Sequence, residues 1–272
     1  MRISCSVAYN GYSFSGWQKQ PDAITVQGLI ENALFEIVNE RIKTYASGRT
    51  DSGVHALGQI FHFDTSKKRP MYAWVKGINA FLPDSIKVNW AKQVDESFHA
   101  RHSVIEREYQ YLLLNNSNNF APFHSNIGWT YHKLNIGLIQ PACLRFIGKH
   151  DFSAFRSSEC QAKSPVRTIR NFQHERFGKF NLFTIAADGF LHHQIRNMIA
   201  TIIHIAKGAD QLEFIDELLI KKNRMYAPAT FMPNGLYLAN IKYDMKWKFP
   251  TKQNKVNIFN KNGNYSKNMR NY

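Results

Sequence analysis

Apolar positions along the chain switch between two periods, and the order in which they do so occurs twice. The stretch RISCSVAY (residues 2–9) alternates as a strand does when successive side chains face opposite sides of a sheet. From Thr25 onward, Val26, Leu29, Ile30, Ala33, Leu34, Ile37 and Val38 recur at helical spacing. A short strand near RIKTYAS (41–47) leads into a glycine-bearing loop, and GQIFHFDT (58–65) alternates again. MYAWVKGINAFL (71–82) puts Trp74, Val75, Ile78, Phe81 and Leu82 on one helical face, stopped by Pro83 and Asp84. SIKVNWAKQV (85–94) is a further strand, so the first hundred residues read β-α-β-β-α-β.

The order then repeats. IEREYQYLLL (105–114) is a strand, and Leu138, Ile139, Ala142, Cys143, Phe146 and Ile147 are spaced as a helix. VRTIRNFQHERF (166–177) and KFNLFTIAAD (179–188) pair as a hairpin. A long helix carries Ile195, Met198, Ile199, Ile202 and Ile203, a shorter one follows at LEFIDELLIKK (212–222), and GLYLANIKYD (235–244) closes as a strand. The pattern predicts an α+β protein of two tandem ferredoxin-like β-α-β-β-α-β halves, each an antiparallel sheet with helices on one face. The predicted boundaries are 1–102 for the first half and 103–245 for the second. Beyond Asp244 the chain has no acidic residue, many Asn and Lys and no sustained period. Residues 246–272 therefore read as a flexible basic tail that the fold can lose.

Composition narrows the partners. The 272-residue chain is 44% hydrophobic and 14% aromatic, enough for a large core. Its net charge of +15 favours a polyanion, with nucleic acid ahead of an anionic membrane surface. Nothing in the sequence has transmembrane length, and MRISCSVAYNG lacks the layout of a signal peptide. Cys5, Cys143 and Cys160 are odd in number and far apart, which fits reduced thiols in a cytoplasmic protein. No local cluster of His, Cys, Asp and Glu suggests a metal site.

Candidate chemistry begins at SGRTDSGVHA (47–56), where a carboxylate, Asp51, sits in a glycine-lined loop just behind Arg49. Asp and Gly are also ordinary turn formers. An arginine close to a carboxylate favours its charged form, as a carboxylate nucleophile requires. The DSG triplet is shared with aspartic proteases, but those need two such aspartates on an all-β fold. Tyr109 shares a strand face with Arg107, Tyr111 and Leu113, as core or as a ring that stacks on an unpaired base. Arg196 stands near the start of the long helix amid His192, His193 and Gln194. The basic stretches FHARH (98–102) and SSECQAKSPVR (157–167) suit phosphate contact or simple solvation.

Taken together and in order, these stretches resemble the bacterial tRNA pseudouridine synthase A family over nearly all of Arg2 to Asp244. The likeness runs through YNGYSFSGWQKQ, TVQGLIENAL, GRTDSGVHA, FHAR, REYQY, FSAF, HHQIRNM and GLYL, with GRTDSGVHA the most specific. It departs at MYAPATFMPNGLYL (225–238), where Phe231 and Met232 replace the family's usual small residues and prolines. The resemblance implies an isomerase that converts uridine to pseudouridine at positions 38, 39 and 40 of the tRNA anticodon stem-loop. It implies a cytoplasmic homodimer with no cofactor and no metal. It makes Asp51 the nucleophile, Tyr109 the ring against the target base and Arg196 the partner of Asp51. Arg49 and the stretch Phe98, His99, Ala100, Arg101 and His102 would help extrude the target nucleotide. Glu159, Cys160, Gln161, Ala162 and Lys163 fall where the family contacts tRNA. A non-catalytic tRNA-binding module would need only the charge and the basic loops.

Overall fold

The computed structural model, which describes residues 1–115, 124–250 and 254–256, joins both repeats edge to edge in one ten-stranded sheet. The first half comprises β1 (Arg2–Tyr9), α1 (Val26–Val38), β2 (Tyr45–Ala46), β3 (His55–Asp64), α2 (Met71–Ala80) and β4 (Ile86–Val94). The second begins with β5 (Val104–Asn115), β6 (Gly128–Thr130), α3 (Ile139–Leu144) and β7 (Gly148–Asp151). It continues through β8 (Val166–Phe177), β9 (Phe180–Ala187), α4 (Gln194–Ala206), α5 (Glu213–Lys221) and β10 (Leu236–Tyr243).

Strand order shows the repeat plainly. The first half runs β4-β1-β3-β2 and the second β10-β5-β9-β8, each pairing antiparallel, with β7 added at the far edge and β6 beside β5. Each half thus has the arrangement a split β-α-β unit gives. The halves meet where β10 runs parallel to β3, at Tyr237 opposite His55 and Leu238 opposite Ala56. That seam exists because β2 is only two residues long and pairs at Phe61 and His62, leaving the start of β3 with an open edge. His55 locks the joint: Nδ1 accepts from the Gly11 N–H (3.0 Å), so Nε2 carries the proton donated to Asn234 O (2.9 Å). Its ring stacks on Tyr237 with centroids 4.6 Å apart.

The helices form because their apolar spacing matches a buried stripe. In α1, Val26, Ile30, Ala33, Leu34 and Val38 are buried; Thr25 caps the start by accepting from Gly28 N, and Asn39 ends it in the left-handed region. In α2, Trp74 and Ile78 are buried, but the helix stops at Ala80, two residues short of the predicted end, and leaves Phe81 exposed. Helix α4 is buried nearly all round, so its polar residues are satisfied inside: Asn197 Nδ2 donates to Phe155 O (2.7 Å) and Thr201 Oγ1 to Asn197 O (3.0 Å). All five α-helices contribute buried residues to the main apolar core, with Tyr109, Tyr111 and Leu113 of β5 pointing into it. None of the helices among the described residues is long and apolar enough to cross a membrane.

The opposite face corrects the reading of the tail. Alternate β5 residues Leu112 and Leu114 join Ile127, Phe180 and Leu182 there, and Val256 packs against them. Phe98 lies within 5.0–5.3 Å, ring to ring, of Tyr243, Trp247 and Phe249. Asn254 exchanges hydrogen bonds with Asn240, donating from its N–H (2.9 Å) and accepting at its carbonyl (2.9 Å). Residues 245–250 and 254–256 therefore belong to the fold: Trp247 and Phe249 pack with Ile60 of β3, Trp90 of β4 and Phe98, and Val256 packs on the Leu112 cluster. The remaining tail, 257–272, lies outside the described residues. Replacing Trp247 and Phe249 together by Ala should cost about 2–4 kcal/mol, given two half-buried aromatics at roughly 1–2 kcal/mol each. Urea denaturation should show a lower midpoint with an unchanged slope.

Candidate active site

The loop that carries Asp51 is tied down on every side. Trp17 N donates to Thr50 O (3.1 Å), Tyr9 OH bonds Thr50 Oγ1 (2.8 Å), and Ser52 Oγ donates to Phe14 O (3.2 Å). Gln59 Nε2 donates to Gly48 O (2.6 Å), and Val54 N closes the turn on Asp51 O (3.2 Å). Gly16 makes the close approach that this requires: its φ is +80°, and a Cβ there would stand 2.6 Å from Thr50 O. The loop leads straight into the seam end of β3, so Asp51 projects where the halves join.

Three side chains from the second half converge on that carboxylate. Arg196 Nη1 lies 3.2 Å from Oδ2, His192 Nε2 lies 3.4 Å from Oδ1 and His193 Nε2 lies 3.5 Å from Oδ2. The carboxylate side chain is 20% exposed and Arg196 14%, so the pair is sheltered yet reachable. Arg196 is aimed by a second bond, Nε to Phe231 O at 2.8 Å. His193 precedes α4 with φ +64°, a strained setting for a non-glycine residue that turns its ring toward Asp51. Burial lowers the His193 pKa below its ordinary value; Asp51 opposes the shift, while Arg196 and His192 add to it. The ring is therefore predominantly neutral at pH 7.

Asp51, His192 and His193 also present ligand atoms within 4.8 Å of one another, a set absent from any local sequence motif. These residues are of the kind that could hold a divalent cation. Arg196 already places a fixed positive charge on the same carboxylate, which opposes a second cation there.

Tyr109 sits on β5 with its ring edge-on to Phe190 at 5.2 Å. Burial pushes its phenol far above the usual tyrosine range; the Asp51 charge adds to this and Arg107 counters it, so the hydroxyl stays protonated. Arg49, in contrast, is exposed and takes no part in the contacts that Asp51 makes among the described residues. The arginine next to Asp51 in sequence is not its partner in space.

The FHARH stretch divides by depth. Phe98 and Ala100 are fully buried and cannot meet RNA, which corrects their place among the expected contacts; they anchor the loop through the Phe98 ring cluster and Tyr243 OH to Ala100 O (2.6 Å). His99 is half-buried, and Arg101 and His102 are exposed. Beneath them His62 Nδ1 accepts from Ala100 N (3.2 Å). The Glu159–Lys163 stretch reaches the site by another route: Ser157 N donates to His192 O (2.9 Å), and the charge of Glu159 lies near enough to His193 to oppose, with Asp51, the lowering that burial causes. Glu159, Gln161 and Lys163 are exposed, whereas Cys160 and Ala162 pack partly against the core. Sequence reasoning passed over His192 and His193 as site residues, and over Arg107, whose only local signal is its strand face shared with Tyr109.

The family model described as tRNA pseudouridine synthase matches residues 6–103 and 142–244. A tRNA pseudouridine synthase A of Methylobacillus flagellatus is 44% identical over 258 residues, covering 95% of this chain and 99% of its own. Those of Nitrosomonas eutropha and Herminiimonas arsenicoxydans are 46% and 45% identical over 92% of this chain, covering 91% and 92% of their own lengths. The chain belongs to the tRNA pseudouridine synthase family. It is accordingly an enzyme that isomerises uridine in tRNA to pseudouridine. In this synthase, the matched spans contain Asp51, Tyr109's neighbours on β10 and the whole of α4, while Tyr109 itself falls between them.

Two outcomes follow from this geometry. Gly16→Ala should lower turnover at least roughly tenfold and cost about 1–3 kcal/mol, since the strained Cβ displaces the Thr50 carbonyl and with it Asp51. Burial, then the charge of Arg2, pushes the His62 pKa down to about 4 from an ordinary 6.5. The unfolded chain binds that proton more readily, so stability is full above pH 6.5 and falls as pH drops toward 4. Urea melts at pH 7 and pH 4.5 should show His62→Gln escaping roughly 2–3 kcal/mol of the loss that the parent suffers.

Proposed function

We propose that Asp51 is the nucleophile of the isomerisation, acting on a target uridine that has left its helix and lies against Tyr109. The pair of Asp51 and Arg196 at 3.2 Å, in a sheltered site at the seam, is the observation that carries this reading. The reaction needs neither oxidant nor energy source, because pseudouridine is an isomer of uridine. The N1–C1′ bond must break, the uracil must turn, and C5 must join C1′, with C5 losing a proton and N1 gaining one. A carboxylate that attacks C6 of the base holds the uracil covalently, and one that attacks C1′ of the ribose holds the sugar, so either route fixes one fragment on the enzyme while the base turns. Arg196 and the two histidines hold the carboxylate in one orientation through the step.

Extruding a stacked nucleotide costs a few kcal/mol, which replacement contacts offset. The exposed Arg49, Arg101 and Lys163 supply cations for the flanking phosphates, with His102 beside Arg101, and the net charge of +15 supports an RNA partner. We assign the target to positions 38, 39 and 40 of the anticodon stem-loop, and the active species to a cytoplasmic homodimer. The support is the agreement of GRTDSGVHA and HHQIRNM with the family pattern, together with three unpaired cysteines.

Tritium release from tRNA labelled at uridine C5 tests the chemistry. Asp51→Ala should reduce release by at least about a thousandfold while the Kd for tRNA moves less than roughly threefold. Appreciable residual turnover would remove Asp51 from the nucleophile's role. Mass-spectrometric mapping of the product should place pseudouridine at 38, 39 and 40; modification confined to another arm would overturn the site assignment.

A further inference from the structure

Arg107 stands on β5 two residues before Tyr109, on the same face of the strand. Its guanidinium donates to carbonyls of three separate loops. Nε and Nη2 both reach Ser47 O (3.1 Å for Nε), Nη1 reaches Asp188 O (3.1 Å), and Nη2 reaches Arg101 O (3.4 Å). Ser47 opens the Asp51 loop, Asp188 opens the connection from β9 to α4 that carries His192 and His193, and Arg101 belongs to the FHARH loop. All four bonds go to backbone oxygen, and no carboxylate among the described residues pairs with this cation. Two glycines flank it closely: a Cβ on Gly48 would lie 3.4 Å from Nε and one on Gly189 3.9 Å from Nη1, both ordinary contacts that a larger side chain would tighten.

A half-buried charge without a counterion is costly unless its donors are satisfied, and here the loop carbonyls satisfy them. Arginine suits the task because its planar fork offers donors in several fixed directions, whereas lysine brings one compact charge. We propose that Arg107 is a positioning residue, a clasp that fixes the distances between the Asp51 loop, the histidine-bearing loop and the FHARH loop around Tyr109. It touches no reacting atom. The inference deepens the reading of Asp51 as nucleophile and rests on it for its kinetic test.

The experiment compares full-length parent, Arg107→Met and Arg107→Lys in steady-state tritium release and in backbone amide hydrogen exchange. Arg107→Met should lower kcat at least about thirtyfold with the KM for tRNA changed less than roughly threefold, and Arg107→Lys should recover part of kcat. Amides at 47–53 and 188–193 should exchange at least about tenfold faster in Arg107→Met, while those of α1 and α2 keep the parent's rates. Gly48→Val keeps the arginine but crowds its Nε, and should show the same split between kcat and KM. An unchanged kcat, a change confined to KM as for a plain phosphate ligand, or faster exchange throughout the chain would each overturn the clasp. A parent that releases no tritium would instead sink the catalytic reading, and the exchange comparison would still decide whether Arg107 joins the loops.

Discussion

The site depends on one ion pair that the chain makes with itself across 145 residues, between Asp51 and Arg196. On an open surface such a pair contributes little, because water screens it and two side chains must be immobilised. Here each partner is already held. Asp51 rides a loop bonded to Trp17, Tyr9 and Gln59, and Arg196 is pinned through Nε to Phe231 O. The ordering entropy is therefore met by the fold rather than by the pair. The pair's geometry in turn rests on the seam. Two parallel residue pairs and the bonds of His55 set the register of β10 against β3. A slip of one residue there would turn the inward side chains of β10 to the opposite face and misplace everything attached to its ends.

How much of this was legible in the sequence follows from the range of each interaction. The order of strands and helices could be read because periods of two and 3.6 residues are local properties. The joining of two halves into one sheet could not, since it depends on how short β2 is and on a two-residue ladder between strands far apart in the chain. The expected tail shows the same limit: KWKFP looks like polar filler until Phe98 supplies the surface on which Trp247 and Phe249 pack. FHARH was legible as a basic loop, yet Phe98 and Ala100 turned out to be its anchors, because their burial is decided by residues some 145 positions later. Asp51 was visible as an acid in a glycine turn. Its partner Arg196 was legible only through the family resemblance: local spacing pointed to Arg49, which faces solvent, since residues two apart in a turn need not face each other.

Backbone acceptors run through the site. Arg196 ends on Phe231 O, Tyr111 OH on Met232 O (2.9 Å), Arg224 on Ala227 O (2.8 Å), and Arg107 on three loop carbonyls. A carbonyl is present whatever side chain its residue bears. This gives a physical reason why the side chains at 231 and 232 are free to vary: the site uses the main-chain oxygens of Phe231 and Met232. Their side chains do a separate job, Phe231 lying 5.9 Å from the Tyr111 ring and Met232 offering its sulfur to Trp129 N (3.3 Å). Substitutions that keep the path of the backbone from Thr230 to Pro233 are thus compatible with an intact Arg196, whereas one that moves that path shifts the guanidinium and, through it, Asp51.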